Sequence, residues 1–414
     1  MTFSATVGRA AWSRAAWRVL TLLVISGFLN YFDRSNLSVG ATDIQRDLGL
    51  NHLQLGMLLS AFFWTYALMQ LLGAAGWLVD RYNVCWILAG GFFLWSGATS
   101  ITGAARWFGV VFALRLLLGM GESVAYPSYS RILVNHYPEY HRGFANAAID
   151  AGTKLGPALG TLLGGLLMAR FGWRAFFVVL GASSLVWLVP WLLWMPRGKG
   201  VSAREDPAGI PGILSILRQR SAIFSALGLF CSNYYWYFLL TWLPPYLESA
   251  RHFSKSRMAV FGSLAYFLIA ASGVTSGWLS DRLIARGHTP TRVRKAFAGA
   301  GLTLASIIVG VPMIRGSNAA MALLMAACLA FGMFTSNLFA ITQTLAGPRA
   351  SGKWTGLQNG FGNLAGVAAP WFTGWIVYRT GHFALAFVAA AAAALGGAVF
   401  FVFGIGKIRQ VDFS

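Results

Sequence analysis

Long apolar runs alternate with short polar breaks along almost the whole chain. A run of roughly 20 apolar residues is the length that crosses a bilayer as one helix. The breaks predict spans at 17–40, 52–79, 84–104, 107–130, 143–168, 173–195, 221–246, 255–280, 293–313, 316–341, 353–378 and 381–405, numbered 1 to 12 below. The first run, from Trp17 to Val39, is too long for a secretory signal and lacks its small-residue cleavage pattern, so it reads as span 1. The longest polar interval, PRGKGVSAREDPAGIPGILSILRQR from Pro196 to Arg220, divides the spans six and six. The expected organisation is an N-terminal six-helix bundle at 1–196, a cytoplasmic linker at 197–220 and a C-terminal six-helix bundle at 221–414.

Composition turns this pattern into a class. Hydrophobic residues make up 57% of the 414 and charged residues 11%, with a mean hydropathy of +0.61, whereas soluble domains are about a quarter charged. The expected fold is an all-α membrane protein of twelve transmembrane helices. Five Lys and Arg fall in 197–220 and five more in 282–295, both on the side of the termini, so the positive-inside rule sets both termini in the cytoplasm. The formal charge of +20 is spread over loops and forms no single patch, which fits anionic lipid at the inner face and excludes nucleic acid as a partner. Cys85, Cys231 and Cys328 lie at apolar positions without metal or redox spacing, and the six His are scattered among loops and span ends. No metal, cofactor or enzymatic nucleophile is expected.

The two halves echo each other. Gly76-Trp77-Leu78-Val79-Asp80-Arg81 follows span 2, and Gly277-Trp278-Leu279-Ser280-Asp281-Arg282 follows span 8. A G-W-L-x-D-R string at equivalent places predicts two pseudo-symmetric bundles, the arrangement of a rocking transporter. The glycine would let helices approach, and the Asp–Arg pair would cap helix ends at a cytoplasmic gate.

Ionisable residues inside apolar runs are costly and mark transport sites. Span 1 holds Asp33 and Arg34, span 4 holds Arg115 and Glu122, and span 5 holds Asp150 and Lys154. Successive helical residues point about 100° apart, so Asp33 and Arg34 face differently, while Asn30 and Arg34 share a face. An arginine fork there suits a planar carboxylate. Arg115, Gly119, Glu122, Tyr126 and Tyr129 form one stripe; Arg115 and Glu122 are about 10 Å apart along it and each meets a group from another helix more easily. Burial disfavours an ionised carboxylate, so Glu122 reads as a proton-coupling group, or else as a fixed partner of an arginine. Asp150 and Lys154 read equally as a neutral intrahelical pair or as a cavity cation tuned by an acid. Tyr66 and Gln70 of span 2, Tyr234 and Tyr237 of span 7, and Gln358, Asn359 and Asn363 of span 11 supply neutral hydrogen bonds for a hydroxylated ligand. Gly156, Gly160, Gly164 and Gly165 predict tight packing of span 5, and Pro244-Pro245 a bend near the outer end of span 7. With all six of these charges in the first five spans, the N-terminal half is expected to handle proton and carboxylate. A neutral or positive site points to an anionic substrate.

At these residues the chain resembles the major facilitator superfamily, and within it the anion:cation symporter family. The resemblance rests on N-Y-x-D-R-x-N-L at Asn30–Leu37 and R-x-x-x-G-x-x-E at Arg115–Glu122 followed by Tyr126-Pro127, and it covers nearly the whole chain. It implies a proton-coupled carrier of a hexuronate, an aldonate such as galactonate, or an aldarate, in a bacterial inner membrane, working as a monomer with the proton as its only coupling ion. It makes Asp33 and Glu122 the proton carriers, Arg34 and Arg115 the carboxylate-binding and coupling residues, and Tyr66 and the Asn359/Asn363 region substrate contacts. The basic residue usual after the first D-R turn is missing, since Tyr82-Asn83-Val84-Cys85-Trp86 follows. Asp150 and Lys154 also lie outside the general pattern. The rival expectations are an organic-anion exchanger or exporter, or a symporter of an aromatic or dicarboxylic acid such as phthalate or tartrate.

Overall fold

The computed structural model describes residues 13–137, 139–195 and 212–411; among them there are helices and no strand. Hydrocarbon offers backbone groups no hydrogen bonds, and a helix satisfies them within one segment. Nine helices among the described residues are long and apolar enough to cross a membrane, and the pair His52–Leu71 and Ala74–Arg81, bent by 61°, makes a tenth. Ala148–Trp194 holds two legs, because Gly172 breaks it at φ 77°. Gly347 at φ 65° likewise separates spans 10 and 11 within Ser317–Thr380. Such positive φ values suit only glycine comfortably. The leg after Gly347 carries Gln358, Asn359 and Asn363 and is less apolar than the others. Counted by legs, the twelve spans are present in two six-helix bundles. Of the linker expected at 197–220, residues 197–211 lie outside the described residues, and Ile213–Leu217 forms a short helix.

Two local expectations change. Span 9 is α-helical only over Pro290–Ala305 and tightens to a 3-10 helix over Ser306–Met313. Span 7 is one unbroken helix, Arg220–Ser249, with Pro244 and Pro245 inside it near its outer end. No disulfide forms among the described residues, and Cys85 and Cys328 are buried.

Small residues set the helix contacts. A Cβ on Gly156 would stand 2.6 Å from Tyr31 Cβ, which brings span 5 hard against span 1, as the glycine series predicts. Between the bundles, span 2 lies along span 11: a Cβ on Gly56 would be 2.8 Å from the Pro370 carbonyl oxygen and 3.0 Å from Gly374 Cα. Span 5 meets span 8, where a Cβ on Gly165 would be 2.5 Å from Ala259 Cβ.

A polar latch joins the bundles on the outer side. Lys255, at the start of span 8, places Nζ 2.7 Å from Asp43 Oδ2 and 3.2 Å from Glu248 Oε1, and donates to the Val39 carbonyl at 3.1 Å. Thr42 donates to Glu248 from the opposite bundle. The two bundles are therefore fastened to each other on this face. Removing the lysine leaves two acids facing each other, a loss of about 1–3 kcal/mol after discounting for partial exposure. Lys255→Ala is expected to open this face: spin labels at Arg46 and Ser256 should gain a longer-distance population. An unchanged distance distribution would show that the latch holds nothing.

The repeated motif is asymmetric. The 61° bend follows Gly73 (φ 67°), and Ala74–Arg81 then packs on Val84–Thr102 and Ala125–His136 of its own bundle. Gly76 consequently makes no close approach, since a Cβ there would meet nothing within 4 Å, contrary to expectation. Gly277 meets it, with Ser336 Cβ 3.1 Å from the position of an added Cβ. Asp80 pairs with Arg131 at 3.7 Å, Arg81 is exposed, Asp281 lies within electrostatic reach of Arg294, and the Arg282 guanidinium lies 5.0 Å from the Trp278 ring centre.

Candidate substrate and coupling site

Span 1 is a continuous helix, Arg14–Val39, whose first turn is capped by Ser13 accepting from the Ala16 amide at 3.1 Å. Its inward face carries Asn30, Asp33 and Arg34, all buried within the protein rather than turned to lipid. Span 4 opposes it as Phe108–Ser123, then a step at Val124, then Ala125–His136. Glu122 occupies the last turn before that step. Span 4 is held against span 2 where Thr65 Oγ1 donates to the Leu116 carbonyl at 2.7 Å, beside Gly119.

The centre is an ion pair between spans 1 and 4. Arg34 Nε donates to Glu122 Oε2 at 2.8 Å, and the two side chains are 2% and 0% exposed. The guanidinium lies 4.5 Å from the Tyr31 ring centre, 4.6 Å from Tyr66 and 4.8 Å from Phe62. Ring faces are electron-rich, so this box holds the cation even while its acid partner is changed. Arg115 is buried one stripe away, its guanidinium 5.7 Å from the Phe62 ring centre, and Asp33 is buried within electrostatic reach of both Arg115 and Glu122. Two cations and two acids thus share one buried compartment, including Asp33, which helical spacing turns away from Arg34.

Much of this compartment's hydrogen-bonding capacity is unspent. Arg34 Nη2 and Arg115 Nε donate to no protein acceptor, while the Asp33 and Glu122 carboxylates have only the nearby amides of Asn36 and Asn30 beside them, short of full hydrogen-bond geometry. Buried polar groups are nearly always satisfied, so a cluster of exceptions calls for an explanation. A bound anion with its own oxygens satisfies the donors, and a proton satisfies the acids.

The neutral groups gather beside it. Gln70 Oε1 accepts from Asn359 Nδ2 at 3.4 Å and from Asn363 Nδ2 at 3.2 Å, and Tyr237 donates its hydroxyl to Asn363 Oδ1 at 2.6 Å. Tyr237 packs its ring on Phe63, centres 4.3 Å apart. Tyr129 is buried in a 2.7 Å hydrogen bond with Ser26. Gln358 faces away and ties Thr342 to the Ser225 carbonyl, a helix-joining role. Tyr234 is buried with its hydroxyl unpartnered, near Thr373. Asp150 and Lys154 pair across one helical turn at 3.9 Å and are 65% and 49% exposed, apart from the buried cluster, although Asp150 remains within electrostatic reach of Tyr126. Sequence reasoning missed the aromatic box and the outer latch. Tyr31 three residues before Arg34, and Phe62 four before Tyr66, were the available signal for the box.

A family model for the Major Facilitator Superfamily matches residues 23–370. The chain belongs to that superfamily. It is 30% identical to the "Probable galactarate/D-glucarate transporter GudP" of Bacillus subtilis (strain 168), over 95% of this chain and 93% of that protein. It is 29% identical to the "Hexuronate transporter" of the same organism, over 90% of each. A solved bacterial homolog of the human lysosomal transporter Spinster, inward-facing and occupied, superimposes with a TM-score of 0.80 at 19% identity, covering 95% of this chain and 97% of that one. The likeness to the structure shows the fold. The protein is a multi-pass membrane transporter of this superfamily, not an enzyme, and the two Bacillus subtilis relatives named above are transporters of sugar acids.

Proposed function

We propose that this carrier imports a sugar acid, such as a hexuronate, aldonate or aldarate, together with protons, and does so as a monomer. The observation that supports this most is the Arg34–Glu122 pair, enclosed by rings and surrounded by unpartnered polar atoms. When the site faces outward, protonation of Glu122 or Asp33 weakens its hold on the arginine. The substrate carboxylate takes that place on Arg34, with Arg115 balancing the charge, while Tyr66, Asn359 and Asn363 meet its hydroxyls. A neutralised compartment can then be carried inward. Where the proton leaves, the carboxylate side chain reclaims Arg34 and the anion is expelled. This is exchange of partners within one low-dielectric compartment, where an unpaired charge is costly in every intermediate.

The test is uptake into vesicles of purified carrier with an imposed pH gradient, against a panel of hexuronates, aldonates, aldarates, phthalate and tartrate. Uptake of a sugar acid that rises with outside acidity and collapses with a protonophore is the expected result. Uptake indifferent to the gradient but driven by trapped internal anion would make the protein an exchanger. Transport confined to phthalate or tartrate would move the substrate class.

A further inference from the structure

We propose that Gln70 is a built-in stand-in for a substrate hydroxyl, and that its displacement selects hydroxylated acids. The inference rests on the sugar-acid reading above and concerns how that class is recognised.

Gln70 lies four residues after Tyr66, on the same face of span 2 and one turn, about 5–6 Å, further toward the cytoplasm. Tyr66 forms one wall of the Arg34 box, so Gln70 lies about one helical turn from the position of a carboxylate on Arg34, within the length of a six-carbon acid. The Gln70 carbonyl oxygen there accepts from two amides of the opposite bundle, Asn359 and Asn363. The orientation of Asn363 follows from its other partner. Tyr237 spends its hydroxyl proton on Asn363 Oδ1, which turns Nδ2 toward Gln70. Amide orientation is assigned from such a network. With the amides so assigned, span 11 presents N–H donors, which an acceptor oxygen on a ligand would satisfy.

In this structure that oxygen belongs to Gln70. Both bonds, at 3.2 and 3.4 Å, are longer than the 2.9–3.0 Å typical of N–H···O contacts, so they are readily exchanged. A substrate hydroxyl offers an equivalent acceptor, and the swap leaves no buried donor unmet. An acid without hydroxyls leaves Gln70 in place and gains nothing from span 11. Sites that hydrogen-bond a ligand hydroxyl discriminate strongly against analogues lacking it. The bond also crosses from one bundle to the other along the contact of spans 2 and 11, where Gly360 meets Leu71. Displacing Gln70 thus removes a polar tie between the bundles at the moment the correct substrate binds.

The experiment is calorimetric binding of D-gluconate and of hexanoate, six-carbon acids with and without hydroxyls, to purified full-length carrier. Gln70→Ala removes the competitor and is expected to tighten D-gluconate about three- to ten-fold, the value of one neutral hydrogen bond, while hexanoate is unchanged. Gln70→Glu strengthens the tie with a charged acceptor and should weaken D-gluconate. If Gln70→Ala does not fold, Gln70→Met keeps its volume and carries the same expectation as the alanine variant. Weaker D-gluconate binding by Gln70→Ala would make Gln70 a direct substrate ligand and overturn the proposal, as would equal shifts for both acids. If D-gluconate, D-glucuronate and D-glucarate all fail to bind the unmodified carrier, the sugar-acid reading falls first and this inference with it.

Discussion

Glu122→Gln is expected to abolish uphill accumulation while leaving exchange of internal for external substrate. Glutamine keeps a carbonyl oxygen where Arg34 Nε now donates at 2.8 Å, so the geometry of the pair survives. What it loses is the ability to release a proton and regain a full charge. The variant is held in a form equivalent to the protonated acid, with a neutral and weaker hold on the arginine, and it can load and unload anion without being driven. A gradient of about 1 pH unit is worth about 1.4 kcal/mol per proton, enough to hold a monoanion at about ten-fold accumulation when one proton travels with it. That ratio should fall to unity in Glu122→Gln vesicles, with counterflow of labelled substrate persisting. Should the variant build the same gradient as the unmodified carrier, Glu122 is a structural partner of Arg34, and Asp33, buried in the same compartment, becomes the remaining carboxylate for that role.

The spans and the central pair were readable because each violates an expectation locally. A charge inside an apolar run is anomalous by itself, and helical spacing then says which face it occupies. That spacing placed Arg34 toward the cavity face and separated Arg115 from Glu122 on their own helix, but it turned Asp33 away from a compartment in which the structure buries it. The structure completes the argument by bringing Arg34 to Glu122 from another span. The aromatic box was hidden for the opposite reason: Tyr31 and Phe62 in apolar runs look like ordinary packing. The outer latch could not be found at all. Thr42 and Glu248 are 206 residues apart, and Asp43 and Lys255 are each unremarkable charges near span ends, so nothing in periodicity pairs them. Gly76 failed as a packing site because the bend after Gly73 swings its helix onto its own bundle, a tertiary outcome that a repeated string cannot encode. For Asp150 and Lys154 the intrahelical pair is the arrangement seen, half-exposed and one turn apart.

Arg34→Ala should be the most damaging substitution for binding. It removes the fork proposed to receive the carboxylate and also strands Glu122, whose side chain is fully buried. Breaking one side of a buried pair costs about 3–5 kcal/mol, which as lost affinity is a factor of about 100 or more. Two effects are mixed in that number, and they can be separated. The double variant Arg34→Ala with Glu122→Ala discharges the stranded acid, so its thermal midpoint should recover toward that of the unmodified carrier while anion binding stays lost. Arg34→Lys keeps the charge but gives up both the paired donors and the flat contact with Tyr31 and Tyr66, and should fall between the two. Calorimetric affinities and thermal midpoints measured on the same preparations decide the matter. An Arg34→Ala carrier that binds its anion as tightly as the unmodified protein would move the carboxylate site off span 1, leaving Arg115 as the remaining buried cation of the compartment.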